Sequence, residues 1–117
     1  MTQKEITING ETYPVIFTLL TLSNFEEITN QGFFEANLSK TSNRMAIVMA
    51  AALAADEDTK LTLEKMRGNE TFDDYKQIVA AYTIVMSLAE KFFPIPEVEK
   101  KEEQPADENA EGEGVKN

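Results

Sequence analysis

Apolar and polar positions alternate through the first stretch of the chain, with one interruption. Residues 5–17 read EITI-NG-ETYPVIF. An Asn-Gly pair between two β-prone runs predicts a hairpin, because a type I′ turn needs positive φ at both central residues. With Asn9 and Gly10 in the loop, Ile8 faces Glu11 and Ile6 faces Tyr13. Ile6, Ile8, Tyr13 and Val15 then share one buried face, continued by Phe17, while Thr7 and Thr12 point the other way. Pro14 has no N–H to donate, so its strand should be an edge or end its pairing there. A lone hairpin is marginal in water, so this one must lie on helices or join a larger sheet through a partner.

Beyond residue 18 the apolar spacing becomes three and four, the period of a helical face. In TLLTLSNFEEITN, Leu22, Phe25 and Ile28/Thr29 form a stripe with Glu26 and Glu27 outward. Ser23 followed by Glu26 fits a capping box, with Thr21 the alternative cap. Asn30-Gln31-Gly32 is a stop signal, with Gly32 the expected left-handed residue. Residues 39–55, SKTSNRMAIVMAAALAA, predict a second helix that Ser39, Thr41 or Ser42 can cap. Its stripe is Met45, Val48/Met49, Ala52 and Leu53, and its alanines allow another helix close approach. This helix should end before Asp56, because acids are unfavourable at a helix C-terminus. Thr62–Gly68 reads as a short helix with an apolar side of Leu61, Leu63 and Met66.

The longest predicted helix, Thr71 to Phe93, organises the rest. Phe72, Tyr75, Ile78/Val79, Tyr82, Val85/Met86, Ala89 and Phe92/Phe93 recur on one face. Thr71 stands at the N-cap, Asp73 and Asp74 complement the positive end of the dipole, and Lys91 lies in the last turn. Pro94 and Pro96 end it. The segment TIVMSLA is apolar nearly all round and should be covered by other elements or by a second subunit. The fold class is therefore α+β, a single small domain over 1–93: an N-terminal hairpin, three main helices and one short helix. From Pro94 the composition changes, and 94–117 should be a disordered acidic tail, solubilising or serving as a recruitment arm.

Composition narrows the chemistry. The 117 residues include no cysteine and no histidine. That excludes disulfides, thiolate metal sites, a cysteine nucleophile and the usual general base. Net charge is -10, and about half of it falls in residues 97–117, which hold eight acidic and three basic residues. Acidity argues against nucleic acid and anionic membrane as partners. No apolar run is long enough to span a bilayer, and the N-terminus is too polar for a signal peptide, so a soluble intracellular protein is expected. Asp56, Glu57, Asp58 and Glu64 lack the spacing and central glycine of a Ca²⁺ loop and read as a solvated loop. No phosphate-binding glycine loop or nucleophile elbow occurs, and Asp73 and Asp74 are explained by the helix dipole. No enzyme, cofactor or metal is expected.

Two features point instead to protein contacts. The adjacent Phe33 and Phe34 cannot both face one core. One should anchor the connection and the other be half-covered, or the pair offers a contact to a partner. Met45, Met49, Met66 and Met86 are core filler or an adaptable surface for apolar helices.

The start of the chain, ITINGETYPVIFTLLTLSNFEEITNQGFFE, resembles the tail assembly chaperones of long-tailed bacteriophages and prophages. The family pattern is an "I-x-I-N-G-x-x-Y" hairpin, here Ile6, Ile8, Asn9, Gly10 and Tyr13, then an apolar strand, then a "FEE-(L/I)-T" helix followed by a turn, here Phe25, Glu26, Glu27, Ile28 and Thr29. These motifs cover about a quarter of the chain. The remainder matches by pattern: small-residue helices, a terminal apolar helix ending in "FFP" and a charged end. The resemblance implies a protein of the host cytoplasm, absent from the mature virion. It would bind the tape measure protein, keep it soluble and help recruit tail tube subunits. It also implies that this chain is the short form of a pair made by frameshifting, and Lys100-Lys101 lies in the region where a slippery adenine-rich codon run could sit. Phe33, Phe34, Met45, Met49 and Met86 are the contact candidates for such a partner. Two other readings compete. An acidic mimic of nucleic acid that blocks a DNA-binding protein needs ordered rows of acids on the folded body. A small structural tail or connector subunit would persist in purified virions.

Overall fold

The structure, a computed structural model, describes residues 2–93 of the chain; the acidic tail expected at 94–117 lies outside the described residues. The element order is β1 (Lys4–Ile8), β2 (Glu11–Val15), α1 (Leu19–Thr29), α2 (Thr41–Ala55), α3 (Leu63–Arg67) and α4 (Phe72–Phe92). This is the expected α+β arrangement of a hairpin, three main helices and one short helix.

The hairpin forms for the reason its loop announced. Asn9 and Gly10 have φ of 52° and 84°, and Ile8 pairs with Glu11, Ile6 with Tyr13 and Glu5 with Pro14. Ile6, Ile8, Tyr13 and Val15 are buried. The Tyr13 hydroxyl donates to Glu11 Oε1 at 2.7 Å. Burial, then the Glu11 carboxylate, pushes the Tyr13 phenol up from its ordinary value. The tip is fastened to the far end of the chain. Asn9 N–H donates to Gln77 Oε1, Gln77 Nε2 donates to Asn9 Oδ1, and Asn9 Nδ2 donates to the Lys65 carbonyl.

The central element is α2 rather than α4. Met45 through Ala52 are all buried, and α1, α3, α4 and β2 pack on this helix, while β1 packs on α4. The one-sided stripe read from Met45, Val48/Met49, Ala52 and Leu53 therefore understates its burial. Alanine explains how: with a single methyl at 46, 50, 51 and 52, neighbours reach the helix backbone itself. Ile16 N–H donates to the Ala51 carbonyl at 3.3 Å and Asn24 Nδ2 to the Ala50 carbonyl at 3.2 Å. Helix α2 also begins without the side-chain cap expected from Ser39, Thr41 or Ser42. Lys40 is its N-cap residue and makes no such bond. The hydroxyl and N–H of Ser39 are instead held by Asn37 Oδ1. It ends, as expected, before Asp56.

Helix α1 starts a turn earlier than Ser23. Thr18 is its cap and Thr21 closes the box, with Thr18 N–H donating to Thr21 Oγ1 at 3.0 Å. Thr21 is fully buried and its hydroxyl also donates to the Ile16 carbonyl at 2.9 Å. Two threonines can thus perform what a Ser and a Glu do elsewhere, because each hydroxyl both donates and accepts. The left-handed residue after α1 is Asn30, with φ 59°, and not Gly32. Asparagine tolerates that region better than other side chains.

The start of α4 is as expected at Thr71 and different one residue later. Phe72 and Tyr75 are exposed rather than on the packed face, which runs through Asp74, Ile78, Ala81, Val85, Leu88 and Ala89. Asp74 sets this rotation. Its Oδ2 accepts from Asn69 N–H, Thr71 N–H and Thr71 Oγ1 at 3.0, 3.0 and 2.8 Å, while Thr71 Oγ1 accepts from Asp74 N–H at 3.2 Å. A carboxylate directed to the α3–α4 connection turns residues 72 and 75 outward. The segment TIVMSLA is covered on the side of Val85, Leu88 and Ala89, half-covered at Ile84, Met86 and Ser87, and open at Thr83.

Thr71 N–H foremost, then its hydroxyl and the amides of Asn69 and Glu70, hold the Asp74 carboxyl below its ordinary 3.8. A native pKa below the unfolded one stabilises the fold above the ordinary value, and that contribution is lost as pH falls through the native value. Asp74→Asn should therefore flatten the stability–pH curve below about pH 4, measured by urea denaturation at several pH values. An unchanged acid slope would show that the box contributes nothing to acid sensitivity.

Candidate functional site

Six of the seven phenylalanines gather where the end of α4 meets the α1–α2 connection. Phe33 is their hub. Its ring lies 5.8 Å from Phe17 and from Phe25, edge-on to both, and stacks on Phe93 at 6.1 Å. Phe34 and Phe93 meet edge to face at 5.3 Å. Such pairs contribute about 0.5–1.5 kcal/mol beyond area burial. The series runs from solid core to open surface: Phe25 is fully buried, Phe33 is 8% exposed and Phe34 is 79% exposed. Beside it, Phe33, Met86, Ala89, Glu90 and Phe93 line an open groove of about 190 Å³.

The five contact candidates are divided by this arrangement. Phe33, Met45 and Met49 are buried, and Met86 is half-buried. Phe33, Phe34 and Met86 come together around Phe93. Met45 belongs elsewhere, lining a groove of about 250 Å³ with Thr41, Arg67, Tyr75 and Ile78. Met49 lies in the buried run of α2. The methionines thus do not form one continuous surface. Of the five, Phe34 and part of Met86 are accessible to another molecule.

Other exposed apolar side chains were not among the candidates. Leu19 and Leu20 open α1, and Phe72 stacks on Tyr75 at 6.1 Å, with Lys76 Nζ 5.4 Å from the Phe72 ring. The Thr18-x-x-Thr21 pair was the signal for Leu19 and Leu20, since first-turn residues of a capped helix face outward as readily as inward. Phe93 is the other member of the surface that the periodicity placed with the helix face. Its ring instead bridges Phe33 and Phe34.

The chemistry on offer is apolar contact and shape. Among the described residues no group of three or more carboxylates could hold a metal ion, and no helix is long and apolar enough to cross a membrane. Asp74, the most strongly hydrogen-bonded acid described, has its carboxylate occupied by the cap. Comparison with family models, with curated proteins and with solved structures finds no match for the chain.

Proposed function

We propose that this chain is a non-catalytic tail assembly chaperone of a long-tailed phage or prophage. It acts in the host cytoplasm, binds the tape measure protein, keeps it soluble, helps recruit tail tube subunits and leaves before the virion matures. The observation that carries the reading is the N-terminal segment. Ile6, Ile8, Asn9, Gly10 and Tyr13 stand in a hairpin, and Phe25 through Thr29 in the helix after it, the arrangement that the resemblance implies.

A holdase needs apolar contact without self-aggregation. Phe34, backed by Phe93 and beside the Met86 groove, supplies a rigid aromatic contact on an already packed base, so little side-chain entropy is lost on binding. The net charge of -10 repels like molecules and keeps a complex dispersed. Phe34→Ala removes its edge contacts to Phe33 and Phe93 but little buried area, so it should cost no more than about 1.5 kcal/mol, and should weaken tape measure binding about tenfold. Thermal denaturation and titration calorimetry read the two effects separately. Unchanged affinity would remove this edge from the contact.

The deciding experiment is co-expression with the tape measure protein of the same phage or prophage, followed by centrifugation and pull-down. A partner insoluble alone and soluble in complex supports the reading. Unchanged solubility with nothing co-purifying overturns it, and salt-sensitive binding to a basic DNA-binding protein becomes the next measurement.

A further inference from the structure

The two edges of the hairpin are not alike. In a two-residue type I′ hairpin the pair flanking the loop exchanges both backbone hydrogen bonds, and bonded and non-bonded pairs then alternate. From the observed register, Ile8–Glu11, Ile6–Tyr13 and Lys4–Val15 are the bonded pairs, and Thr7–Thr12 and Glu5–Pro14 the others. Residues of the other pairs point their N–H and C=O groups away from the ladder. On β2 that outer edge is interrupted, because Pro14 has no N–H. On β1 it is intact: Glu5 and Thr7 present two donors and two acceptors. Both residues are exposed, and none of these four groups has a hydrogen-bond partner among the described residues.

We infer that the β1 edge pairs with the β1 edge of a second copy of this chain, antiparallel and centred on Ile6. The choice of occupant follows from self-complementarity. With Ile6 opposite Ile6 of the other copy, each Glu5 lies opposite Thr7 of the other copy in a bonded pair. All four outward groups of each copy are then used, and four backbone hydrogen bonds form across the two-fold axis. No like charges face each other, and each Glu5 carboxylate can accept from the Thr7 hydroxyl opposite. A shift by two residues in one direction sets Glu5 against Glu5. A shift in the other direction asks for the Asn9 N–H, which already donates to Gln77. One register therefore satisfies the edge, and the operation relating the copies closes as a dimer. The product is a four-stranded sheet whose outer strands are both β2, each ending the sheet with Pro14.

The test uses the full chain at concentrations from low micromolar to near millimolar. Sedimentation velocity should show a monomer–dimer equilibrium, and the Glu5 and Thr7 amides should gain at least about tenfold exchange protection as dimer forms. Thr7→Pro removes an outward donor and no ladder bond, so it should weaken association at least about tenfold. Thr12→Pro makes the same change on the opposite edge and should leave association intact. A monomer throughout, a dimer in which Glu5 and Thr7 exchange as fast as in the monomer, or equal weakening by both prolines would overturn the inference. The amide measurement needs no variant, so a folding failure of either proline variant leaves the test standing.

Discussion

Phe25→Ala is expected to cost about 3–5 kcal/mol, the range for deleting a fully buried aromatic ring. Phe25 is completely covered, lies on α1 and meets the hub ring Phe33 edge-on at 5.8 Å. Its loss removes transfer free energy and leaves a void between α1 and α2, whose alanines cannot grow into the space. A domain of this size has about 5–15 kcal/mol in total, so the variant should melt at least about 12 °C lower, at about 4–8 °C per kcal/mol. Calorimetry of the two proteins decides it. A loss under about 1 kcal/mol would mean that Phe33 and its neighbours collapse into the vacated volume and that the cluster is not rigid. Beside Phe34→Ala, this variant separates the ring that holds the cluster together from the ring that the cluster presents.

The second large effect belongs to a glycine. Gly68 closes α3 with φ 55° and ψ -123°, a backbone conformation that side-chain-bearing residues rarely adopt. A methyl group there would also collide with the Asp74 carboxylate. Gly68→Ala should therefore cost about 1–3 kcal/mol in backbone strain, with a further loss as Asp74 is driven from Thr71 and Asn69. Gly10→Ala is the control. Gly10 also has positive φ, at 84°, but a methyl group meets nothing within 4 Å, so only the strain remains. Urea denaturation should place Gly68→Ala clearly below Gly10→Ala. Equal losses would show that the carboxylate moves aside freely and that the Asp74 cap is dispensable.

Local rules were legible in the sequence wherever a few adjacent residues decide the outcome. Asn9-Gly10 specified the loop, the register and the buried face of the hairpin. Thr71 and Gly68 marked the ends of their helices, because cap chemistry acts within one turn. The misreadings arose where tertiary packing chooses among local solutions. Ser23-x-x-Glu26 and Thr18-x-x-Thr21 are both plausible boxes, and burial of Thr21 against the Ile16 carbonyl selects the second. The buried role of α2 was concealed because alanine has little hydrophobic contrast: a helix surrounded on all sides and a helix approached on one side can share the same composition. Phe72 and Tyr75 obeyed the period of α4 but not its phase, which the Asp74 carboxylate sets. That one of Phe33 and Phe34 must turn outward follows from adjacency. Which one does so depends on Phe17, Phe25 and Phe93, and these come from three other segments.

The ties between Asn9 and Gln77, and between Lys4 Nζ and Ser87 Oγ at 2.9 Å, order events during synthesis. Translation delivers the hairpin first and α4 last among the described elements, and domains generally fold as units. Until α4 is complete, Ile6 and Ile8 lack the helix on which β1 packs, and a newborn chain ending before residue 72 leaves the β1 half of the hairpin's apolar face open while β2 already has α2. Ribosome-stalled chains of increasing length should therefore stay protease-sensitive at the hairpin and gain resistance in one late step, when Gln77 and Ser87 become available to close the fold over its own beginning.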